Sequence, residues 1–175
     1  MYAIPDHDRY FMGIAMAVRE RANCRGRRVG AVIVKDHRIV STGYNGTPAG
    51  MANCLDGGCA RCAQAAKSPG TGYDVCICVH AEQNAVLAAA RFGISIDGAS
   101  VYSTLRPCFD CTKQMLQAGI GSVYFLHDWA HPDPVWQTEY AGIQSRFREI
   151  RQIGMNDPRE AWAQGRSVEG AGLFG

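Results

Sequence analysis

The stretch Val101-Tyr-Ser-Thr-Leu-Arg-Pro-Cys-Phe-Asp-Cys111 changes its structural preference partway along. Val101-Tyr-Ser-Thr104 reads as a strand from its β-branched and aromatic content. Pro107 suits the first turn of a helix, which the pattern carries over 108–118 and ends at Gly119. A strand that hands directly to a helix is the unit of an α/β sheet, and the flanking sequence repeats it. Upstream, 81–92 is helical in composition, with Gly93 placed as its cap. Val29-Gly-Ala-Val-Ile-Val34 and Ile39-Val-Ser-Thr-Gly-Tyr44 flank Lys35-Asp-His-Arg38 as a hairpin. Pro5 and Asp6 open a helix in which Phe11, Ile14, Ala15 and Val18 recur at helical spacing. Downstream, Val123-Tyr-Phe-Leu126 is a strand, 136–147 a helix and 147–153 a final strand. The order α-β-β-α-β-α-β implies a three-layer α-β-α domain around a central mixed sheet of about five strands. We assign it to residues 1–155, with a loop rich in Gly, Cys and Ala over 47–79. The tail over 156–175 is rich in glycine and reads as fraying, apart from one short helix around Glu160-Ala-Trp162.

The bulk properties narrow the choice of function. A chain of 175 residues suits one domain with a sizeable core, and 47% hydrophobic with 19% charged residues is globular composition. No stretch approaches the roughly 18–20 apolar residues needed to span a bilayer. Asp6, His7 and Asp8 precede any apolar run, so no export signal is read and the expected place is the cytoplasm. A net charge of +2 without a basic stripe argues against a polynucleotide partner. Eight cysteines is a high count. In a reducing compartment, clustering at short spacing favours metal over disulfides.

His80-Ala-Glu82 and Pro107-Cys108-Phe-Asp-Cys111 carry the chemistry. A catalytic zinc keeps three protein ligands and leaves its fourth position to water. His80, Cys108 and Cys111 supply three. Cys108 and Cys111 are i, i+3 on one helical face, and both segments open helices, whose positive N-terminal potential favours thiolate. Glu82 lies too close in sequence to His80 for a shared helical face, which suits it to contact the water rather than the metal. It would then serve as base and acid in turn. The alternative is a structural zinc site or a pair of buried thiols, which leaves Glu82 without a role. The pattern resembles that of zinc nucleobase deaminases, H-x-E followed by P-C-x-x-C.

A closer resemblance, over roughly 10–126, is to the deoxycytidylate (dCMP) deaminases of the cytidine deaminase superfamily. It rests on Val29-Gly-Ala-Val-Ile-Val34, Ser41-Thr-Gly-Tyr-Asn-Gly-Thr-Pro48, His80-Ala-Glu-Gln-Asn-Ala85, Pro107-Cys-Phe-Asp-Cys-Thr-Lys113 and Gln117-Ala-Gly-Ile120. The Gly-Tyr-Asn-Gly-x-Pro element distinguishes this group from tRNA adenosine deaminases and riboflavin-type deaminases. The resemblance implies a cytidine-deaminase-like fold and zinc-dependent deamination of dCMP to dUMP and ammonia, supplying dUMP for thymidylate synthesis. It also implies homo-oligomers, commonly hexamers, and control by dCTP and dTTP, with Mg2+ accompanying a nucleotide effector. By resemblance, Asn45 would bind substrate, and Thr104 and Tyr124 would line the pocket. Asn45-Gly46 followed by Thr47-Pro48 is also a good turn sequence, so Asn45 has a structural reading beside the ligand one. Arg106, where the family usually has something smaller or apolar, is a candidate phosphate ligand, as are Arg25, Arg27 and Arg28. The stretch 129–175 has no familiar match. A sister enzyme acting on another cytosine or purine nucleoside or nucleotide, or a non-catalytic zinc module, are the alternative readings.

The loop before His80 holds the remaining thiols. A loop of about 30 residues with no core of its own needs a staple. Cys54, Cys59, Cys62 and Cys76 are the preferred four ligands of a second, structural zinc, with Cys78 as substitute or buried thiol. Some dCMP deaminases bind such a zinc nearby. Cys24 reads as a spare or core thiol. His7, His37, His127 and His131 carry no partner spacing, and Trp129, Trp136 and Trp162 read as packing or interface residues.

Overall fold

β1 (Gly30–Lys35) is buried on both faces along nearly its whole length, so it must run through the middle of a sheet covered on both sides. In the computed structural model, which describes residues 3–64, 72 and 74–165, it does. β1 pairs antiparallel with β2 (Arg38–Tyr44) on one side and with β3 (Ser100–Leu105) on the other. β3 runs parallel to β4 (Ser122–His127), and β4 parallel to β5 (Glu149–Gln152). The order is β2-β1-β3-β4-β5, the mixed five-stranded sheet that the element order implied. Asp36 and His37 form the hairpin turn, both at positive φ (49° and 58°), as a tight two-residue connection requires.

Alternation along the strands divides the core in two. Val32, Val34, Tyr102 and Leu126 meet Phe11, Met12 and Ala15 of α1 (His7–Arg19) on one face. Ile33, Val101 and Val123 meet Ala85 and Ala89 of α3 (Ala81–Arg91) and Met115 of α4 (Phe109–Gln117) on the other. Asp6 caps α1 by accepting from the Arg9 amide at 2.8 Å. Two glycines set how closely the helices approach. A methyl group at Gly30 would collide with the Ala15 carbonyl of α1, and one at Gly43 with the Ala81 carbonyl of α3. The Ser41 hydroxyl then donates to the Ala85 carbonyl at 2.7 Å, tying β2 to α3. α5 (Pro134–Gln144) lies beside α4, and its Tyr140 hydroxyl donates to the Pro107 carbonyl at 2.6 Å. No helix among the described residues is long and apolar enough to cross a membrane.

Of the tail over 156–175, residues up to Gly165 are described and carry the short helix expected around Glu160-Ala-Trp162, but they pack against the domain; 166–175 lie outside the described residues. Arg19 and Asp157, each with a side chain only 1% exposed, form a bidentate pair at 2.7 and 2.8 Å, and His127 Nε2 lies 2.6 Å from the same carboxylate. α6 (Glu160–Ala163) buries Trp162, whose ring lies 4.7 Å from the Arg28 guanidinium and whose carbonyl accepts from the Arg28 amide. The glycines indicated mobility, but a buried guanidinium on α1 demands an anion and this segment brings it.

Burial works to raise the Asp157 carboxyl, but hydrogen bonds from Arg19 and His127 outweigh it and hold it well below the usual carboxylate range. A depressed carboxyl stabilises the fold above its unfolded pKa of about 4, and that stabilisation is lost as pH falls below it. Asp157→Asn should cost about 3 kcal/mol, since it leaves a buried arginine unpaired, and should flatten the acid limb of the stability profile. Urea melts of wild type and variant between pH 3 and 7 check both; equal midpoints at pH 7 would refute the assignment.

Candidate metal centre and active site

His80 is the N-cap of α3 and Cys108 the N-cap of α4. The two helix starts meet over the end of β3, which brings residues distant in sequence to one point. Gln83 reaches back one turn, its Oε1 accepting from the His80 amide at 2.9 Å and fixing the backbone from which the imidazole projects. His80 Nδ1 lies 3.4 Å from both Cys108 Sγ and Cys111 Sγ. A tetrahedral ion with Zn–N of about 2.1 Å and Zn–S of about 2.3 Å needs N···S edges of about 3.6 Å, so the three donors fit zinc closely. Among the described residues this group has three donors, as a catalytic zinc site requires.

Electrostatics agree with a cation at this point. The Cys108 thiol is pulled down to about 4, first by its hydrogen bond with Cys111 and then, against burial, by His80. The same Cys108 contact raises the His80 imidazole to about 9. Glu82, 4% exposed, is pushed up by burial and then by the Cys108 thiolate. Its two oxygens have different surroundings. Oε1 accepts from Ser103 Oγ at 2.8 Å, while Oε2 lies 3.5 Å from Cys111 Sγ, on the side of the tripod. Ser103, fully buried, was missed in the sequence reading, although it shares the strand face of Val101, which packs against α3.

Other candidates are placed differently. Asn45 is buried, its Oδ1 accepting from Val29 N and its Nδ2 donating to Arg27 O, both at 2.8 Å, so its amide anchors the segment entering β1. Thr104 accepts the Gly30 amide at 3.1 Å and follows Ser103 with opposite parity. Tyr124 pairs in register with Tyr102, stacks on it with ring centroids 4.8 Å apart, and donates to Glu149 at 2.8 Å. Thr104 and Tyr124, expected by resemblance to line the pocket, have these partners in the structure. Side-chain alternation puts Ser103 toward Glu82 and turns the Tyr102–Tyr124 pair to the α1 face. Arg106 donates Nε to Gln144 and Nη1 to Asp128 and lies over the Phe125 ring at 5.1 Å. Arg25 donates to the Leu55 carbonyl, Arg27 to the Ala163 carbonyl, and Arg28 lies against Trp162. His127, which showed no partner in sequence, has one in Asp157.

The remaining thiols form one sulfur cluster. Two groups of four have their ligand atoms within 4.8 Å of one another: Cys24, Cys54, Cys62 and Cys78, and Cys59, Cys62, Cys76 and Cys78. The preferred set of Cys54, Cys59, Cys62 and Cys76 is thus corrected. Cys54 falls in one group and Cys59 with Cys76 in the other, Cys24 is a full member, and Cys78 belongs to both. Spacing along the loop gave no sign that the loop after α1 returns Cys24 to this place.

A sequence profile for the cytidine and deoxycytidylate deaminase zinc-binding region matches residues 5–127. The deoxycytidylate deaminase of Schizosaccharomyces pombe is 45% identical over 145 residues, covering 81% of this chain and 44% of the relative. That of Mycobacterium phage D29 is 43% identical over 126 residues, covering 69% of this chain and 94% of the phage protein. The chain spans about half the length of the two yeast deoxycytidylate deaminases it matches, 44% and 48%. Among solved structures, the dCMP deaminase of cyanophage S-TIM5 in complex with dCMP and dUMP is similar at TM-score 0.65 and 30% identity, over 87% of this chain and all of the other. With its three-donor centre built from the two helix starts inside the matched region, the chain belongs to the cytidine and deoxycytidylate deaminase family of zinc-binding proteins.

Proposed function

We propose that this chain hydrolyses dCMP to dUMP and ammonia, with His80, Cys108 and Cys111 holding the zinc and Glu82 moving the protons. One observation carries the reading: a buried carboxylate with one oxygen held by Ser103 and the other facing a candidate metal site of three protein donors. A structural zinc site closes itself with four protein ligands and has no use for that carboxylate. The nucleotide is supported by the relatives named deoxycytidylate deaminase and by the cyanophage structure holding dCMP and dUMP.

When bound, zinc acts as a Lewis acid that brings the pKa of a ligated water toward about 7. The chain supplies the proton path. Ser103 holds Glu82 Oε1, so Oε2 is the oxygen free to exchange protons. Oε2 takes one proton from the attacking water and delivers it to ring N3 as the C4–O bond forms. It then takes the remaining hydroxyl proton and gives it to the amino group, which leaves as ammonia while C4=O forms. One carboxylate thus acts as base and then as acid, which suits a group whose proton affinity burial raises.

Asn45 enters the reading through the segment it holds, and the amide keeps one hydrogen and one lone pair for a sugar hydroxyl. Arg106 is our candidate for the phosphate, which would replace the exposed Asp128 carboxylate on the guanidinium with no change in the sign of the charge. We further infer a homo-oligomer, a hexamer by family resemblance, supported by the apolar Leu87 and Phe92 that α3 and its C-terminus expose (58% and 71%). A structural Zn2+ in the cysteine-rich loop is supported by the donor chemistry. Control by dCTP and dTTP, with Mg2+ on the effector, and a cytoplasmic location follow from the family resemblance.

Purified zinc-loaded protein should release ammonia from dCMP faster than from dCTP, deoxycytidine or cytidine, with dCTP and dTTP as the modulators to include. No release from any of the four would overturn the reading. Glu82→Gln should retain its zinc and its melting temperature while kcat falls by about 10²–10⁴-fold. Ser103 is a positioning residue, and its loss removes a hydrogen bond to a charged group worth about 1.5–3 kcal/mol. Ser103→Ala should therefore lower kcat by about 10–100-fold with KM little changed, and Ser103→Thr should restore it. A change confined to KM would refute this role.

A further inference from the structure

We infer that the six cysteines outside the catalytic centre form a binuclear zinc–thiolate cluster, in which Cys62 and Cys78 each bridge two ions. The inference rests on the reading that the cysteine-rich loop binds a structural metal, and it changes the number of ions and the ligand set. The two groups of four sulfurs share Cys62 and Cys78, so six thiolates supply four ligands to each of two ions. Cys24 and Cys54 complete one tetrahedron, Cys59 and Cys76 the other.

The separations fit this arrangement. A tetrahedron with Zn–S bonds of about 2.3 Å has S···S edges of about 3.8 Å. Cys24 and Cys62 are 3.9 Å apart, Cys59 and Cys76 3.9 Å, and Cys62 and Cys76 3.7 Å. Disulfides, at about 2.05 Å, are ruled out for these pairs, and all six thiols are free. A single ion would satisfy four sulfurs and leave two packed against them without a metal, whereas two ions use all six. Thiolates held by one ion keep more negative charge than bridging ones, and backbone amides point at these four. Gly26 N reaches Cys24 Sγ and Arg25 N reaches Cys54 Sγ, both at 3.4 Å. Cys59 receives the Cys62 and Ile77 amides, and Cys76 that of Cys78.

The ligands also gather separate pieces of chain into one body: the loop after α1, the short 3₁₀ turn Cys54–Asp56, α2 (Ala60–Ala63), and the segment leading to His80. Apolar packing is replaced here by sulfur, since these cysteines are a core cluster of their own.

The test is zinc content of the full purified chain by plasma mass spectrometry, normalised to amino-acid analysis. Three zinc per chain are expected. Two would overturn the binuclear cluster while leaving a single structural ion, and one would overturn both that ion and the cluster. X-ray absorption at the zinc edge should show a Zn···Zn distance of about 3 Å, as two tetrahedra sharing a sulfur edge require; its absence would overturn the shared thiolates. Cys108→Ser, outside the cluster, should lose one zinc and keep the Zn···Zn signal. Cys62→Ser should lose both cluster ions; loss of one only would overturn bridging by Cys62. Should that variant fail to fold, the wild-type metal count and absorption spectrum decide.

Discussion

Two helix N-termini converge over the carboxyl end of β3, and everything functional in this chain depends on that convergence. His80 opens α3 and Cys108 opens α4, each with extended backbone. Four peptide N–H groups at each start lack helical partners, so the local potential is positive and thiolate is favoured where the metal ligands stand. The packing that holds the starts together is apolar: Ala85, Ala89 and Met115 sit over Ile33, Val101 and Val123. Small side chains on α3 and glycine at 43 let the helix lie close to the sheet, which fixes the depth of the imidazole. Chemistry at the centre is thus set by core packing several residues away.

The two faces of β3 have different neighbours. Strand parity sends Ser103 to Glu82 and the Tyr102–Tyr124 pair to α1, so the face of β3 toward α3 carries the contact to the buried carboxylate. α5 acts on the site from outside. Tyr140 and Gln144 both donate to the Pro107 carbonyl, and Gln144 also holds Arg106, so the turn before Cys108 is fixed by a helix that follows it in sequence.

Much of this was legible in the sequence. Hydrophobic alternation, Gly93 and Gly119 as caps, and Pro107 at a helix start are local signals, and the elements they mark are where they were read. The tripod was legible because a reactive metal constrains residue type and spacing together. What escaped were contacts between distant segments. Asp157 looked like part of a glycine-rich tail, because nothing nearby in sequence shows that Arg19 is buried without an anion. Cys24 looked spare because its partners lie 30 and more residues downstream. Ser103 looked like an ordinary strand residue, since its importance comes from the carboxylate it faces.

Val79 forms an isolated antiparallel bridge with Gly46, and it stands between Cys78 of the sulfur cluster and His80 of the three-donor centre. Three consecutive residues thus join both candidate metal sites to a backbone clasp. Two candidate sites built on one strap share the ordering of that strap. Ordering the strap for either one removes part of the conformational entropy that assembly of the other must overcome, and linkage makes that coupling equal in both directions. On the proposed reading, the segment that closes the cysteine cluster is also the one that sets the imidazole of the candidate catalytic centre, so folding of the loop and completion of that centre are one event.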